Sequence, residues 1–129
     1  MQRVGTVLVA QGWARAAGAS RVVRARWRST DGGRHWRFTA VKGERAGWVS
    51  TSSDTEFLQV VTADDERSVT LSRSADGVTW HETPIAIAGL TEGMEVSVGD
   101  AVVHDGALHL LVTLANRLDA VTVVQRVEL

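Results

Sequence analysis

The 129-residue chain has no cysteine, so it forms no disulfide and offers no thiolate to a metal. It has no run approaching the ~20 apolar residues of a membrane-spanning helix. Val7-Leu8-Val9-Ala10 is apolar, but it breaks at Gln11, Gly12 and Trp13, too soon for the core of a signal peptide. No apolar stripe recurs at helical spacing over several turns, which argues against an α-helical or mixed fold. No nucleophile elbow, P-loop or dinucleotide-binding fingerprint is present. Lysine is nearly absent as well, with a single residue against thirteen arginines.

What remains is a β pattern. The chain is 44% apolar, which excludes a disordered polymer, and it is long enough for one domain with a real core. Short Val-, Thr- and Leu-rich runs alternate with Gly, Asp, Asn and Ser clusters, so the expected class is all-β. The net charge of −1 hides a strong polarity. Residues 1–45 hold nine Arg and Lys42 against Asp31 and Glu44, a net +8, and the rest carries −9. Such asymmetry steers association with a charged partner, or packs each end on an oppositely charged neighbour.

Two segments spell nearly the same sequence. Ser29-Thr30-Asp31-Gly32-Gly33-Arg34-His35-Trp36 is followed by Ser74-Ala75-Asp76-Gly77-Val78-Thr79-Trp80, their serines 45 residues apart. An Asp-Gly core between apolar runs is a turn with a mechanism. The carboxylate accepts backbone N–H groups and glycine supplies positive φ. Ser29 and Ser74 add a side-chain bond to the backbone, and Trp36 and Trp80 can fold over the turn. Asp31 and Asp76 thus read as structural acceptors; catalysis and calcium ligation are the other uses of a carboxylate there. The flanks match too: aligned on tryptophan, Thr39 meets Thr83 and Val41 meets Ile85.

This repeat resembles the Asp-box, or BNR repeat, of the sialidase-like β-propellers, through Ser29, Asp31, Gly33 and Trp36 and again Ser74, Asp76, Gly77 and Trp80. The spacing is that of propeller blades, ~40–50 residues each. The resemblance implies four-stranded antiparallel blades. The expected organisation is one propeller segment over residues 1–129: a partial blade at 1–41, a full blade at 47–85 and a partial blade at 96–129. The expected strands are Thr6–Gly12, Val22–Arg28, Trp36–Val41, Trp48–Ser52, Phe57–Thr62, Val69–Arg73, Trp80–Pro84, Asp100–His104, Ala107–Leu114 and Ala120–Glu128. The first blade then lacks its leading strand and the third its last. Closed propellers have roughly 4–8 blades, so this chain alone gives an incomplete ring. Residues 4–12 and 120–128 are expected to pair with strands from outside the chain.

The resemblance names an architecture and not an activity. A sialidase needs a tyrosine nucleophile, and this chain has no tyrosine; it also lacks the Arg-Ile-Pro-type motif that the family carries near its start. No catalytic residue is assigned. Arg24, Arg26 and Arg28 alternate along one strand and share one face, either as an anion clamp or as a basic interface strand. The family's three arginines come from different blades, which favours the interface. Glu92 and Glu95 sit in the long loop Ile85–Val98, and such loops can line a propeller's central pocket. His104, Asp105 and His109 surround one hairpin but lack a fourth ligand, so no metal or other cofactor is expected. Trp27 and Trp36 interleave with Arg24, Arg26, Arg28, Arg34 and Arg37 as a stacking surface for nucleic acid would. The turn already accounts for Trp36, so nucleic acid is not expected. The expected function is a non-catalytic interaction scaffold that completes a ring with other propeller chains, copies of itself or further sequence. The alternative is a segment of a glycan-active enzyme with its catalytic residues on other blades. The expected partners are therefore propeller-forming chains and a glycan, and no compartment is indicated.

Overall fold

The computed structural model describes residues 1–42 and 45–129. Glu44, counted above in the N-terminal charge, lies outside the described residues. Eleven strands and no helix occur among the described residues. They form three antiparallel sheets in chain order. The first holds β1 (Gln2–Val4), β2 (Val7–Ala14), β3 (Val23–Ser29) and β4 (Arg37–Ala40). The second holds β5 (Arg45–Ser52), β6 (Phe57–Ala63), β7 (Val69–Ser74) and β8 (His81–Ile85). The third holds β9 (Glu95–His104), β10 (Ala107–Ala115) and β11 (Ala120–Glu128). Within each sheet the strands follow one another as a meander. The leading strands lie side by side, β1 against β5 and β5 against β9. The class is all-β, with antiparallel sheets of three or four strands and no closed barrel or ring among the described residues.

Three expectations need correction. The first sheet has its leading strand after all. β1 pairs with β2 through Gln2↔Val9, Arg3↔Leu8 and Val4↔Val7 across a turn where Gly5 has φ +58°. A strand of three residues is too short to show alternation, so pattern reading passes over it. It also occupies the edge of β2 that was expected to reach outside the chain, since β3 holds the other edge. The loop before the third sheet is shorter than expected, because β9 begins at Glu95 rather than near Asp100. A register shift between Leu111 and Val112 lets the strand pass Gly99 and continue its pairing. Trp36 and Trp80 each precede their strand instead of opening it.

Burial explains the alternation. Strand β6 is buried at every position from Phe57 to Thr62, because at this strand the second sheet is covered on both faces. Toward the third sheet it presents Leu58 and Val60, which join Val69, Leu71, Val96, Leu108, Leu110, Val112 and Leu114 in one apolar core. Toward the first sheet it presents Gln59, also buried. The two junctions of the second sheet are therefore built from different chemistry.

Candidate functional site

The two repeated turns have the same internal wiring. Gly33 N–H donates to Ser29 Oγ at 2.9 Å, and the hydroxyl donates to Asp31 Oδ1 at 2.8 Å. That oxygen also accepts the N–H groups of Arg34 (3.1 Å) and His35 (2.9 Å). In the second turn Gly77 N–H donates to Ser74 Oγ at 2.8 Å, and Ser74 Oγ donates to Asp76 Oδ1 at 3.1 Å. Asp76 Oδ1 accepts Val78 N–H at 2.8 Å and Thr79 N–H at 2.9 Å. Backbone N–H donors are thus what hold both carboxyls below the usual carboxylate range. In the first turn His35 contributes further, its Nδ1 lying 2.5 Å from Asp31 Oδ2. Gly32, Gly33 and Gly77 all have positive φ, as such turns require. Trp36 folds back so that its Nε1 donates to the Gly33 carbonyl at 2.9 Å.

The junction between the first two sheets brings Arg24, Arg26 and Arg28 together on one face, turned toward the second sheet. The Arg24 guanidinium lies 4.5 Å from the centroid of the Trp48 ring, and Trp13 meets Trp48 edge-on at 5.2 Å. Arg26 lies 3.8 Å over Trp80 and donates from Nη2 to Gln59 Oε1 at 3.2 Å. Gln59 Nε2 in turn donates to Gln11 Oε1. Arg28 Nε donates to the Asp76 carbonyl at 2.7 Å and so ties β3 to the second turn. Gln2 Nε2 donates to the Leu58 carbonyl at 2.9 Å and also to the Thr51 carbonyl. Burial, reinforced by the neighbouring Arg24, lowers Arg26 to about 10, so it remains a cation at neutral pH. The Trp80 indole N–H is buried with no hydrogen-bond acceptor among the described residues, and the cation of Arg26 lies over its ring. Arginines stacked on indoles across an interface hold two sheets together.

Other candidates are dispersed. Glu92 and Glu95 are both exposed, Glu92 in the loop and Glu95 at the start of β9. His104 Nε2 lies 3.2 Å from Asp105 Oδ2, and the His104 and His109 rings are 6.3 Å apart. Among the described residues no group of three or more His, Asp or Glu side chains is placed to hold a metal. No helix among them is long and apolar enough to cross a membrane. Sequence reasoning passed over Gln11, Gln59, Trp13 and Trp48. The available signal was a glutamine within an otherwise apolar strand, at Gln59 between Leu58 and Val60. A buried amide requires partners.

The outward faces of the two terminal sheets complete the inventory. On the first, Trp27 and Phe38 pair edge-to-face at 5.8 Å, and Phe38 is 49% exposed. On the third, Val102 (56%), Leu111 (43%) and Val124 (70%) stand in solvent on one face. No family model matches the chain, and no curated protein or solved structure matches it either.

Proposed function

We propose that the chain is a non-catalytic segment of an Asp-box β-propeller that acts as an interaction scaffold. In this reading it completes a ring with another copy, another chain or further sequence. The observation that carries it is the pair of uncovered apolar faces on the terminal sheets. Leu111, Val102 and Val124 on one and Phe38 on the other are large apolar groups left in water. The middle sheet shows what such faces do when covered, since its strand β6 is buried on both sides. Soluble proteins rarely leave contiguous apolar patches uncovered unless a partner takes them. The third sheet also ends on β11, whose outer edge has no partner within the described residues. Unpaired edges favour addition of another strand. The shared wiring of the two turns supports the Asp-box reading, because each aspartate accepts backbone N–H groups and performs no evident chemistry.

Light scattering on the purified chain at micromolar concentration tests the proposal. The expected result is a complex larger than the 13.9 kDa monomer. A compact, stable monomer at that concentration rejects it. A fluorogenic sialoside assay tests the absence of catalysis, and turnover that survives purification to homogeneity would overturn that part.

A further inference from the structure

The second turn is seated on the first sheet. Arg28 Nε donates to the Asp76 carbonyl at 2.7 Å, and a Cβ on Gly77 would meet Val9 Cγ2 at 2.8 Å and Arg28 Cδ at 3.5 Å. Val9 and Arg28 are cross-strand partners on β2 and β3. The first turn has no sheet to sit on among the described residues. Nothing lies within 4 Å of where a Cβ on Gly32 would stand. A cleft of about 320 Å³ opens there, lined by Arg3, Thr6, Leu8, Thr30, Asp31 and Gly32. In this turn the Gly32 carbonyl matches the Asp76 carbonyl, because each precedes the glycine whose N–H donates to the serine.

The third strand of every sheet carries an arginine near its end, on the face turned toward the following sheet. Arg28 meets a repeated turn and donates to it. Arg73, opposite Leu58 of the core, meets no such turn among the described residues. It takes Glu56 of its own sheet instead, with Nη2 2.6 Å from Oε2. Arg126, opposite His109, shares the outward face of the third sheet with Leu111 and Val124. It pairs with Glu128 of its own strand at 2.6 Å, but both side chains are more than half exposed. Such a surface pair is weak and readily exchanged. His109 and Arg126 thus offer to solvent the place that Val9 and Arg28 offer to the second turn. The charges of the two outward faces are also complementary. On the leading strands, Arg3 stands opposite Leu8 on the first face, and Asp100 and Glu95 stand opposite Leu111 and Ala115 on the third.

We propose that the partner of these faces is a second copy of this chain, with Arg126 of each copy seated in the cleft at Gly32 of the other. This arrangement rests on the ring reading above and commits it to one partner. Closed propellers have roughly 4–8 blades, and with three sheets per copy only a pair of copies falls in that range. Two head-to-tail contacts then close on each other about a two-fold axis.

Cysteine cross-linking tests the arrangement cleanly, because the chain has no cysteine of its own. Thr30→Cys, in the cleft, and His109→Cys, opposite Arg126, are made as separate full-length proteins, mixed, and treated with a short bis-maleimide. The mixture is expected to give a cross-linked dimer, and neither variant alone is. Sedimentation velocity is expected to show a species of twice 13.9 kDa. Arg126→Glu is expected to weaken that dimer at least about 10-fold, as loss of a charged hydrogen-bond donor does. Its urea midpoint is the folding control. A monomer at micromolar concentration overturns this arrangement together with the ring reading. A larger species than a dimer, cross-linking of either variant to itself, no cross-linking in the mixture of an assembled chain, or unchanged association in Arg126→Glu overturns this arrangement alone.

Discussion

Two glycines of the repeated turns separate backbone strain from crowding. Gly77 has φ +74°, and a Cβ there would sit 2.8 Å from Val9 Cγ2 on the neighbouring sheet. Gly32 has a similar φ of +71°, but nothing lies near its absent Cβ. Gly77→Ala is therefore expected to destabilise by more than the ~1 kcal/mol of strain that Gly32→Ala costs. Urea unfolding of the two variants measures the difference, and equal midpoints would show that the sheets do not meet at that turn. The aspartates give a second expectation. Asp31 and Asp76 are both held below the usual carboxylate range by backbone N–H donors. Their contribution is fully present above the unfolded-state value of about 4 and is lost as pH falls through that value toward the folded one. Wild type is thus expected to lose stability between neutral pH and about pH 3. Asp31→Asn should lose less over the same interval. Parallel loss in both would remove the carboxylate from the explanation.

At the scale of elements, the second sheet meets its two neighbours in contrasting ways. Alignment of the repeats places Arg26 against Leu71 and Arg24 against Val69. The same positions thus carry stacked arginines at one junction and aliphatic side chains at the other. The polar junction depends on mutual satisfaction. Arg26→Ala removes the cation from Trp80 and leaves the buried Gln59 without its guanidinium donor, at an expected cost of about 1–3 kcal/mol. The apolar junction depends on volume. Leu110, fully buried on β10, is expected to cost about 2–5 kcal/mol when truncated to Ala. Denaturant titration separates the two, because extra salt should weaken only the arginine-dependent junction. An Arg26→Ala variant as stable as wild type would mean that the first sheet is held by its turns and not by the stack.

For the whole molecule the question is what covers the outer faces. Leu111 lies 43% exposed at the centre of the outward face of the third sheet, away from the core that Leu110 enters. Leu111→Glu is expected to leave the fold intact and to shift any assembled species toward monomer. Sedimentation velocity checks this, and an unchanged oligomer would place the contact elsewhere. The charge polarity acts over the same distances. The basic N-terminal third and the acidic remainder attract across copies as well as within one, and salt screens that attraction.

Strand positions were legible in the sequence because a period of two and a turn chemistry of Asp and Gly are local properties. β6, β7, β10 and β11 begin or end within a residue of where alternation puts them. The serine and aspartate of each turn were legible for the same reason, since their partners lie within four residues along the chain. β1 was not legible, because three residues carry no pattern and only pairing with β2 makes them a strand. The shared face of Arg24, Arg26 and Arg28 follows from alternation alone. Whether that face meets solvent, a ligand or another sheet does not, because Trp48, Trp80 and Gln59 approach from 24 or more residues away. The ion pair of Arg73 has the same origin. Sequence placed an arginine before each serine, but only the strand register brought Glu56 to Arg73. Local chemistry thus determined the elements and their turns, while the packing of distant strands decided which charges were neutralised and which were left facing water.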